Sequence, residues 1–493
     1  MKLKHVLEGL EYRILEGDSD MDISDLAINS KKVSSNNLFI AIEGFSDDGH
    51  RFLAEAVRGG AAAVLIQKEA PIDHKVTKVM VKNTRRSLAA ISKNFFGFPS
   101  KKLKVTGVTG TNGKTTSCFL LNSILNEAGI PNSLITTVKS YLPGKEVKFD
   151  RTTPDPIELN RFFSDSLSLG ARSATMEVSS HSIDLGRVDL LDFEGFVFTN
   201  LSQDHLDYHK DMESYFEAKR KLFTEADRRL FGGRFAVINI DDYYGKIILD
   251  TTDLDTTSFS INDPNADLCA ENIKSSIKGI EFDLCFKDRK KIRLISPLCG
   301  RFNVYNILGA VGAALNLGVS CRHIVKGIGS LKGVPGRFEK IANEKFTVIV
   351  DYAHTPDGLE NVLSTAKELL PSGARLITVF GCGGDRDRKK RRMMGMVSSN
   401  YSSFSIITSD NPRSEDPLAI IDMISNGFKE KDLFKKIPDR KKAIEHAISL
   451  AKKDDIVMIA GKGHEDYQEF KGRRIHFSDQ ETVREILNSY GKN

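Results

Sequence analysis

Apolar and polar positions along this chain follow a strand, loop, helix rhythm from one end to the other. Near the start, residues 37–42 and 62–66 are continuous apolar runs that read as buried strands, and 50–58 between them has helical spacing. The polar loops 28–32 and 44–50 bound these elements. The sharpest stretch is 105–116, where a β-branched run leads into a glycine loop and then into 117–125, whose apolar residues recur at helical spacing. Farther along, 173–181 predicts a buried strand that ends in Glu177, 196–201 another strand, and 212–223 a helix. The pattern turns β-rich from about Ala236 until 300–306 caps an Ala-rich helix. The last segment has strands at 347–351, 376–380, 405–408 and 456–460, each followed by a loop and a helical pattern. Strands alternating with helices predict an α/β protein with mainly parallel sheets.

At 493 residues the chain exceeds one ordinary core, which suggests roughly three domains. The breaks fall at a small N-terminal α/β domain (1–99), a central P-loop ATPase-like domain with a mainly parallel sheet (100–331) and a C-terminal Rossmann-like domain (332–493). Phe98-Pro99-Ser100-Lys101-Lys102 reads as the first linker. Apolar residues at 40% and charged residues at 28% are the balance of a globular chain. No apolar run approaches the roughly 20 residues a bilayer span needs, and the N-terminus lacks an apolar signal core, so a cytoplasmic protein off the membrane is expected. The net charge of +5 is too small to argue for nucleic acid. The basic run 386–392 suits an anionic small molecule or a solvated charged face. Six scattered cysteines without a CxxC pair suggest a reducing compartment.

Chemistry concentrates at the ends of the predicted strands. In Gly110-Thr111-Asn112-Gly113-Lys114-Thr115-Thr116 the glycines let backbone N–H groups and the helix N-terminus face an anion, Lys114 adds a point charge, and the Thr115 hydroxyl can hold Mg²⁺. The implied ligand is a nucleoside triphosphate, although Val108 stands where the general phosphate loop has its first glycine. Glu177, ending a neighbouring strand, can complete Mg²⁺ coordination or be an ordinary strand-edge acid. Asp204, His205 and Asp207 can hold a second cation, or His205 can be a satisfied loop histidine. On pattern alone Lys219 is a solvent-facing helix lysine. Asn303 and Asn306 are either caps or ligand donors. Four polar clusters, 351–354, 381–387, 410–413 and 461–466, fall where α/β proteins bind ligands.

These motifs, with Glu177-Val178-Ser179-Ser180-His181, Pro335-Gly336-Arg337-Phe338-Glu339 and Asp351-Tyr352-Ala353-His354, come in an order that resembles the Mur ligases over essentially the full length. The resemblance implies ATP-dependent amide ligation through an acyl phosphate, with ATP and Mg²⁺, on two small molecules: a UDP-linked muramoyl dipeptide and meso-diaminopimelate. A monomer is expected. By the same resemblance Lys114, Glu177, His205 and a carbamylated Lys219 are catalytic. Thr115, Glu177, His205 and the modified Lys219 hold metal, and Asn303, Asn306 and Arg337 join the loop 110–116 in binding ATP. The nucleotide-sugar residues are Ile28, Ser30, Thr152, Thr153, Ser179 and Arg187; the diaminopimelate residues are Arg386, Asp410, Asn411, Pro412, Arg413, Gly461 and Glu465. Arg413 carries the choice of acceptor, because a guanidinium grips the second carboxylate of diaminopimelate and repels the lone distal ammonium of lysine. Rival readings are another Mur ligase or a folylpolyglutamate synthetase, and a P-loop switch protein that binds nucleotide without acceptor-dependent turnover.

Overall fold

The β-branched and apolar runs become three main sheets and one hairpin in the computed structural model, which describes residues 1–44, 47–70, 72, 75–224, 228–342 and 345–490. Phe45 and Ser46 of the loop 44–50 lie outside the described residues, as does the side chain of Asp207. The chain divides into two compact units. One comprises Met1–Cys269, Cys285–Lys290 and Tyr305–Gly327; the other comprises Ala270–Leu284, Lys291–Val304 and the chain from Ile328 onward. Among the described residues no helix is long and apolar enough to cross a membrane.

In the first unit, β1 (Tyr12–Glu16), β2 (Asp25–Ala27), β3 (Asn37–Ile40), β4 (Ala61–Ile66) and β5 (Thr77–Val81) form a sheet in the order β1-β5-β4-β3-β2, parallel except for β1. Alternate residues serve two cores: Leu38, Ile40 and Leu65 pack with Leu88 and Ile91, while Phe39, Val64 and Ile66 pack with Leu53 and Ala56. The helix expected over 50–58 is split. Asp48 caps a 3₁₀ turn at Gly49–Phe52, and the α-helix runs only over Leu53–Arg58.

The second sheet of this unit contains β6 (Lys104–Thr109), β7 (Asn132–Ile135), β8 (Ser140–Leu142), β9 (Lys145–Val147), β10 (Ser173–Glu177), β11 (Phe193–Phe198), β12 (Gly232–Asn239) and β13 (Asp255–Ser260). Their order is β13-β12-β11-β6-β10-β7-β8-β9, parallel from β13 to β7. β6 lies between β10 and β11, in register Glu177↔Val108 and Phe198↔Thr109, so three strand ends converge beside the glycine loop. β11 starts and stops three residues earlier than the run 196–201 suggests, because Asn200 leaves the ladder to brace that loop while the Leu201 N–H turns to Asp242. The expected helix 212–223 ends at Arg220 and closes in a 3₁₀ turn, Lys221–Phe223. The β-rich stretch continues through β14 (Leu268–Ser276), β15 (Gly279–Phe286) and β16 (Lys291–Ser296). Asn303 and Asn306 sit inside the helix Phe302–Asn316 rather than capping it.

In the second unit β17 (Glu339–Ala342), β18 (Thr347–Asp351), β19 (Leu376–Phe380), β20 (Phe404–Ile407), β21 (Phe434–Lys436) and β22 (Ile456–Ala460) form a sheet in the order β17-β18-β22-β19-β20-β21, with only β17 antiparallel. β23 (Tyr467–Phe470) and β24 (Arg473–His476) form the hairpin. Arg440 is fully buried; its Nε and Nη2 donate to the two oxygens of the equally buried Asp479 at 2.7 and 2.8 Å, and Nη2 also reaches the Ala460 carbonyl at 3.0 Å. This pair ties the end of β22 to the helices Arg440–Leu450 and Asp479–Tyr490. Asp479→Ala leaves an uncompensated buried guanidinium, so a loss of about 3–5 kcal/mol is expected in urea unfolding followed by circular dichroism. A loss below about 1 kcal/mol would show that water or a neighbour takes over the carboxylate's role.

Candidate active site

The glycine loop leaves β6 at Thr109 and enters the helix Lys114–Glu127. Gly113 has φ 87°, and a Cβ there would strike the amide oxygen of Asn306, so both the backbone and the neighbour require glycine. The loop is braced from the end of β11. The Thr111 N–H donates to the Asn200 carbonyl at 2.8 Å, the Asn112 N–H to Asn200 Oδ1 at 2.9 Å, and Thr199 Oγ1 to the Asn112 carbonyl at 2.6 Å. Lys114 Nζ donates to the carbonyls of Gly110 and Thr111 at 2.9 and 2.8 Å. Thr116 is buried behind the loop in the first turn of the helix.

Glu177 is the hub of the neighbouring strand end. Its Oε1 accepts from the Thr115 hydroxyl at 2.8 Å and from the Thr137 N–H at 2.9 Å; its Oε2 lies 3.1 Å from Thr137 Oγ1. From there hydrogen bonds lead outward. Thr137 Oγ1 is 3.0 Å from Thr152 Oγ1, Thr153 Oγ1 donates to the Glu177 carbonyl at 3.0 Å and accepts from the Ser179 N–H at 3.2 Å, and Arg187 Nη1 reaches the Thr153 carbonyl at 3.2 Å. Thr152, Thr153, Ser179 and Arg187, scattered over 36 positions, are thus gathered beside the phosphate loop. Ser30 is bonded within the N-terminal sheet domain, to Glu55 at 3.1 Å, and Ile28 packs against that domain's core.

His205 has φ 55° at the start of the short helix Leu206–His209, with its Nε2 3.5 Å from Asp204 and its ring edge-on to His181 at 4.8 Å. Burial, helped by the charges of His181, Lys114 and Lys219 and opposed by Asp204, lowers its pKa to about 4. At neutral pH it is therefore a neutral imidazole with an electron pair for a cation. Lys219 overturns the surface reading, since only 1% of it is exposed. Its Nζ donates to the Gly110 carbonyl at 2.9 Å and to Thr109 Oγ1 at 3.4 Å, beneath the Tyr215 ring at 4.9 Å. Burial and the charge of Lys114 hold its pKa well below the ordinary lysine value. Both lysines reach the same carbonyl oxygen, so an anion between them relieves their repulsion.

The second unit builds a separate polar cluster at the C-terminal ends of β18, β19, β20 and β22. Arg413, with φ 52°, is clamped by the hairpin: its N–H donates to the Glu469 carbonyl at 3.0 Å, Nη1 to the Gly384 carbonyl at 2.7 Å, and Nε lies 3.9 Å from the Glu469 carboxylate. The Glu469 N–H bonds Asn411 Oδ1 at 3.0 Å, and Asn411 Nδ2 bonds Glu465 Oε2 at 2.8 Å. Gly461 has φ 116°, and a Cβ there would sit 2.6 Å from Asp410 Oδ2, so glycine is what lets the two loops meet. The Pro412 carbonyl accepts from the Glu415 N–H at 3.0 Å. Arg386 is exposed, its Nη1 3.3 Å from the Asp385 carbonyl. Arg391, within the run expected to meet an anionic small molecule, is instead fully buried, with Nη1 and Nη2 on Glu415 at 2.9 and 2.8 Å; the Arg391 bonds hold that carboxyl down at about 2. Arg337 stacks on Tyr352 at 4.9 Å, and its buried Nε has no hydrogen-bond partner among the described residues. Asn303 Nδ2 donates to the Cys299 carbonyl at 2.7 Å.

Several of these residues escape a reading by motif. Thr137 follows β7, next to β10, and the strand-end rule applied to β7 would have found it. Asn200 ends β11 in the same way. Glu469 lies on a hairpin with no motif, and no local signal marks it.

A strand, a glycine loop and a helix, with a carboxylate beside the helix's first threonine, define a phosphate-loop α/β enzyme of the nucleotide-dependent kind. Residues 22–96 match the catalytic domain of the Mur ligase family, 108–314 the Mur ligase middle domain, and 336–463 the Mur ligase glutamate ligase domain. The chain is 44% identical over 494 residues to the UDP-N-acetylmuramoyl-L-alanyl-D-glutamate–2,6-diaminopimelate ligase of Clostridium tetani, covering 99% of each. It is 45% identical over 475 residues to the ligase of that name from Solibacter usitatus, covering 95% of this chain and 94% of the relative. A solved structure of a ligase with that name superposes with a TM-score of 0.71 at 31% identity, covering 100% of this chain and 99% of the other. The chain belongs to the Mur ligase family and is an ATP-dependent ligase.

Proposed function

We propose that this enzyme joins diaminopimelate to UDP-N-acetylmuramoyl-L-alanyl-D-glutamate, with ATP first phosphorylating the free carboxylate of the D-glutamate. The reading is supported by the names of its full-length relatives. It rests above all on one observation: main-chain bonds tie Arg413 to Glu469 and Glu469 to the Asn411 side chain, which bonds Glu465, so that a guanidinium whose Nε is 3.9 Å from the Glu469 carboxylate shares one cluster with two carboxylates. The distal end of diaminopimelate carries an ammonium and a carboxylate on one carbon, and such a zwitterion needs both signs of partner. Arg413 takes the carboxylate through two hydrogen bonds, and Asp410 and Glu465 take the ammonium. Three functional segments follow: 1–99 for the nucleotide sugar, 100–331 for ATP and 332–493 for the amino acid.

A carboxylate resists amine attack until it carries a good leaving group. Transfer of the γ-phosphoryl group to the carboxylate oxygen releases ADP and leaves an acyl phosphate; the free amine then attacks the carbonyl carbon, phosphate departs with the C–O bonding pair, and the nitrogen loses a proton. The transfer brings anions together, and Lys114 with the loop N–H groups offsets their repulsion. Thr152, Thr153, Ser179 and Arg187 hold the acyl end beside the loop, Ile28 and Ser30 the nucleotide end, and Asn303, Asn306 and Arg337 the adenosine part of ATP. The hard oxygens of Thr115 and Glu177, 2.8 Å apart, suit Mg²⁺, and the neutral nitrogen of His205 with a carbamate on Lys219 suits a second ion. Mg²⁺ held there neutralises charge on the phosphoryl oxygens.

The test is mass spectrometry of the product formed from ATP, the UDP-linked dipeptide and a panel of amino acids. Diaminopimelate is expected to give the tripeptide adduct with one ADP per bond. Arg413→Ala is expected to raise the KM for diaminopimelate at least about tenfold. An unchanged KM would remove Arg413 from the acceptor site, and turnover with lysine alone would overturn the assignment of the acceptor.

A further inference from the structure

Lys462 is a buried charge that the reaction above does not use. Lysine is almost never fully buried unless paired, yet Lys462 is 0% exposed between two glycines at the end of β22. Its Nζ donates to Glu465 Oε2 at 3.0 Å and to Asn411 Oδ1 at 3.2 Å, and the Tyr467 ring lies 5.3 Å from it. Two of its three N–H groups are thus taken by side-chain oxygens, with an aromatic ring nearby. Asn411 closes the ring by donating its Nδ2 to the same Glu465 Oε2 at 2.8 Å, and its oxygen also receives the Glu469 N–H at 3.0 Å.

Two consequences follow from this geometry. Both donors converge on one carboxylate oxygen, Oε2, and the other, Oε1, has no hydrogen bond among the described residues. The amide of Asn411 is also oriented, because its oxygen serves an ammonium and a backbone N–H while its nitrogen serves a carboxylate. A carboxylate held from one side by a fixed ammonium loses little freedom when it meets a second ammonium.

We propose that Lys462 is a positioning residue for amine recognition: it fixes Glu465 so that Oε1 meets the distal ammonium of the acceptor amino acid. The proposal rests on the diaminopimelate reading of the pocket and adds a residue to it. Because Lys462 acts through Glu465, its effect appears in the KM for the acceptor and disappears once Glu465 can no longer accept an ammonium.

The experiment is a double-mutant cycle in the full-length enzyme with Lys462→Met, Glu465→Gln and the two combined, together with Lys462→Arg. Lys462→Met is expected to raise the acceptor KM about tenfold, leave the KM values for ATP and the UDP-linked dipeptide within about twofold, and be largely rescued by Lys462→Arg. The double variant is expected to match Glu465→Gln alone; it buries no unpaired charge, so it remains informative if Lys462→Met does not fold. A further tenfold rise on adding Lys462→Met to Glu465→Gln, or an acceptor KM unchanged in folded Lys462→Met, overturns the proposal. If the wild type uses another amino acid in place of diaminopimelate, the acceptor assignment fails while the cycle, run on that amino acid's KM, still decides the role of Lys462.

Discussion

Lys114→Ala is expected to lower kcat for tripeptide formation by about 10³-fold or more, the largest effect of any single substitution in this chain. The reason lies in where the charge stands. Nζ is within hydrogen-bond distance of two loop carbonyls, 2.9 and 2.8 Å away, on a loop whose shape is imposed by Gly113 and by the bracing from Asn200 and Thr199. In the proposed reaction, removing the amine leaves that cradle standing but strips the fixed cation from where phosphoryl charge would develop. The loss therefore falls on kcat, while circular dichroism and the melting temperature stay close to wild type. Acceptor-dependent ADP release measured beside product mass checks this, and undiminished turnover would sink the assignment of the loop to catalysis.

The second large effect concerns Lys219. Buried, bonded to the Gly110 carbonyl and repelled by Lys114, its amine is neutral at a pH where an ordinary lysine is charged. A neutral amine is a nucleophile; addition to carbon dioxide forms an N–C bond as one C=O π bond opens, releases one proton and replaces a neutral group with an anion beside Lys114. Lys219→Ala is expected to lower kcat by about 10²–10³-fold. Wild-type enzyme depleted of bicarbonate is expected to lose activity and regain it on addition, with a carbamate signal in ¹³C NMR of the labelled protein that the variant lacks. Because the lowered pKa favours the neutral amine, carbamate occupancy falls as pH drops through that pKa. Full activity in bicarbonate-free buffer with no carbamate signal would leave Lys219 a purely structural amine.

How legible these groups were depended on how local their contacts are. The strand, loop and helix around Gly110–Lys114 occupy one continuous stretch, and period and glycine placement announce them directly. Strand ends were legible for the same reason, which is how Glu177, Asp351 and the cluster 410–413 could be found. Lys219 shows the opposite case. Helical spacing groups it with its neighbours but does not say which face meets the rest of the protein, and that face turned out to lie against the phosphate loop. Arg391 was equally misleading, since a run of basic residues hides one that is buried on Glu415, 24 positions away.

By itself the amino-acid sequence determined the α/β class, the position of the phosphate loop and the order of motifs that marks the Mur ligases, because each is written in short-range pattern. Only the tertiary structure decided that Thr137 shares Glu177 with Thr115, that Asn411, Lys462 and Glu465 close a ring, and that Lys219 is buried. Apart from the Lys462–Glu465 bond, those contacts join residues tens of positions apart, and they exist only once strand register and helix rotation have been chosen by packing the whole core.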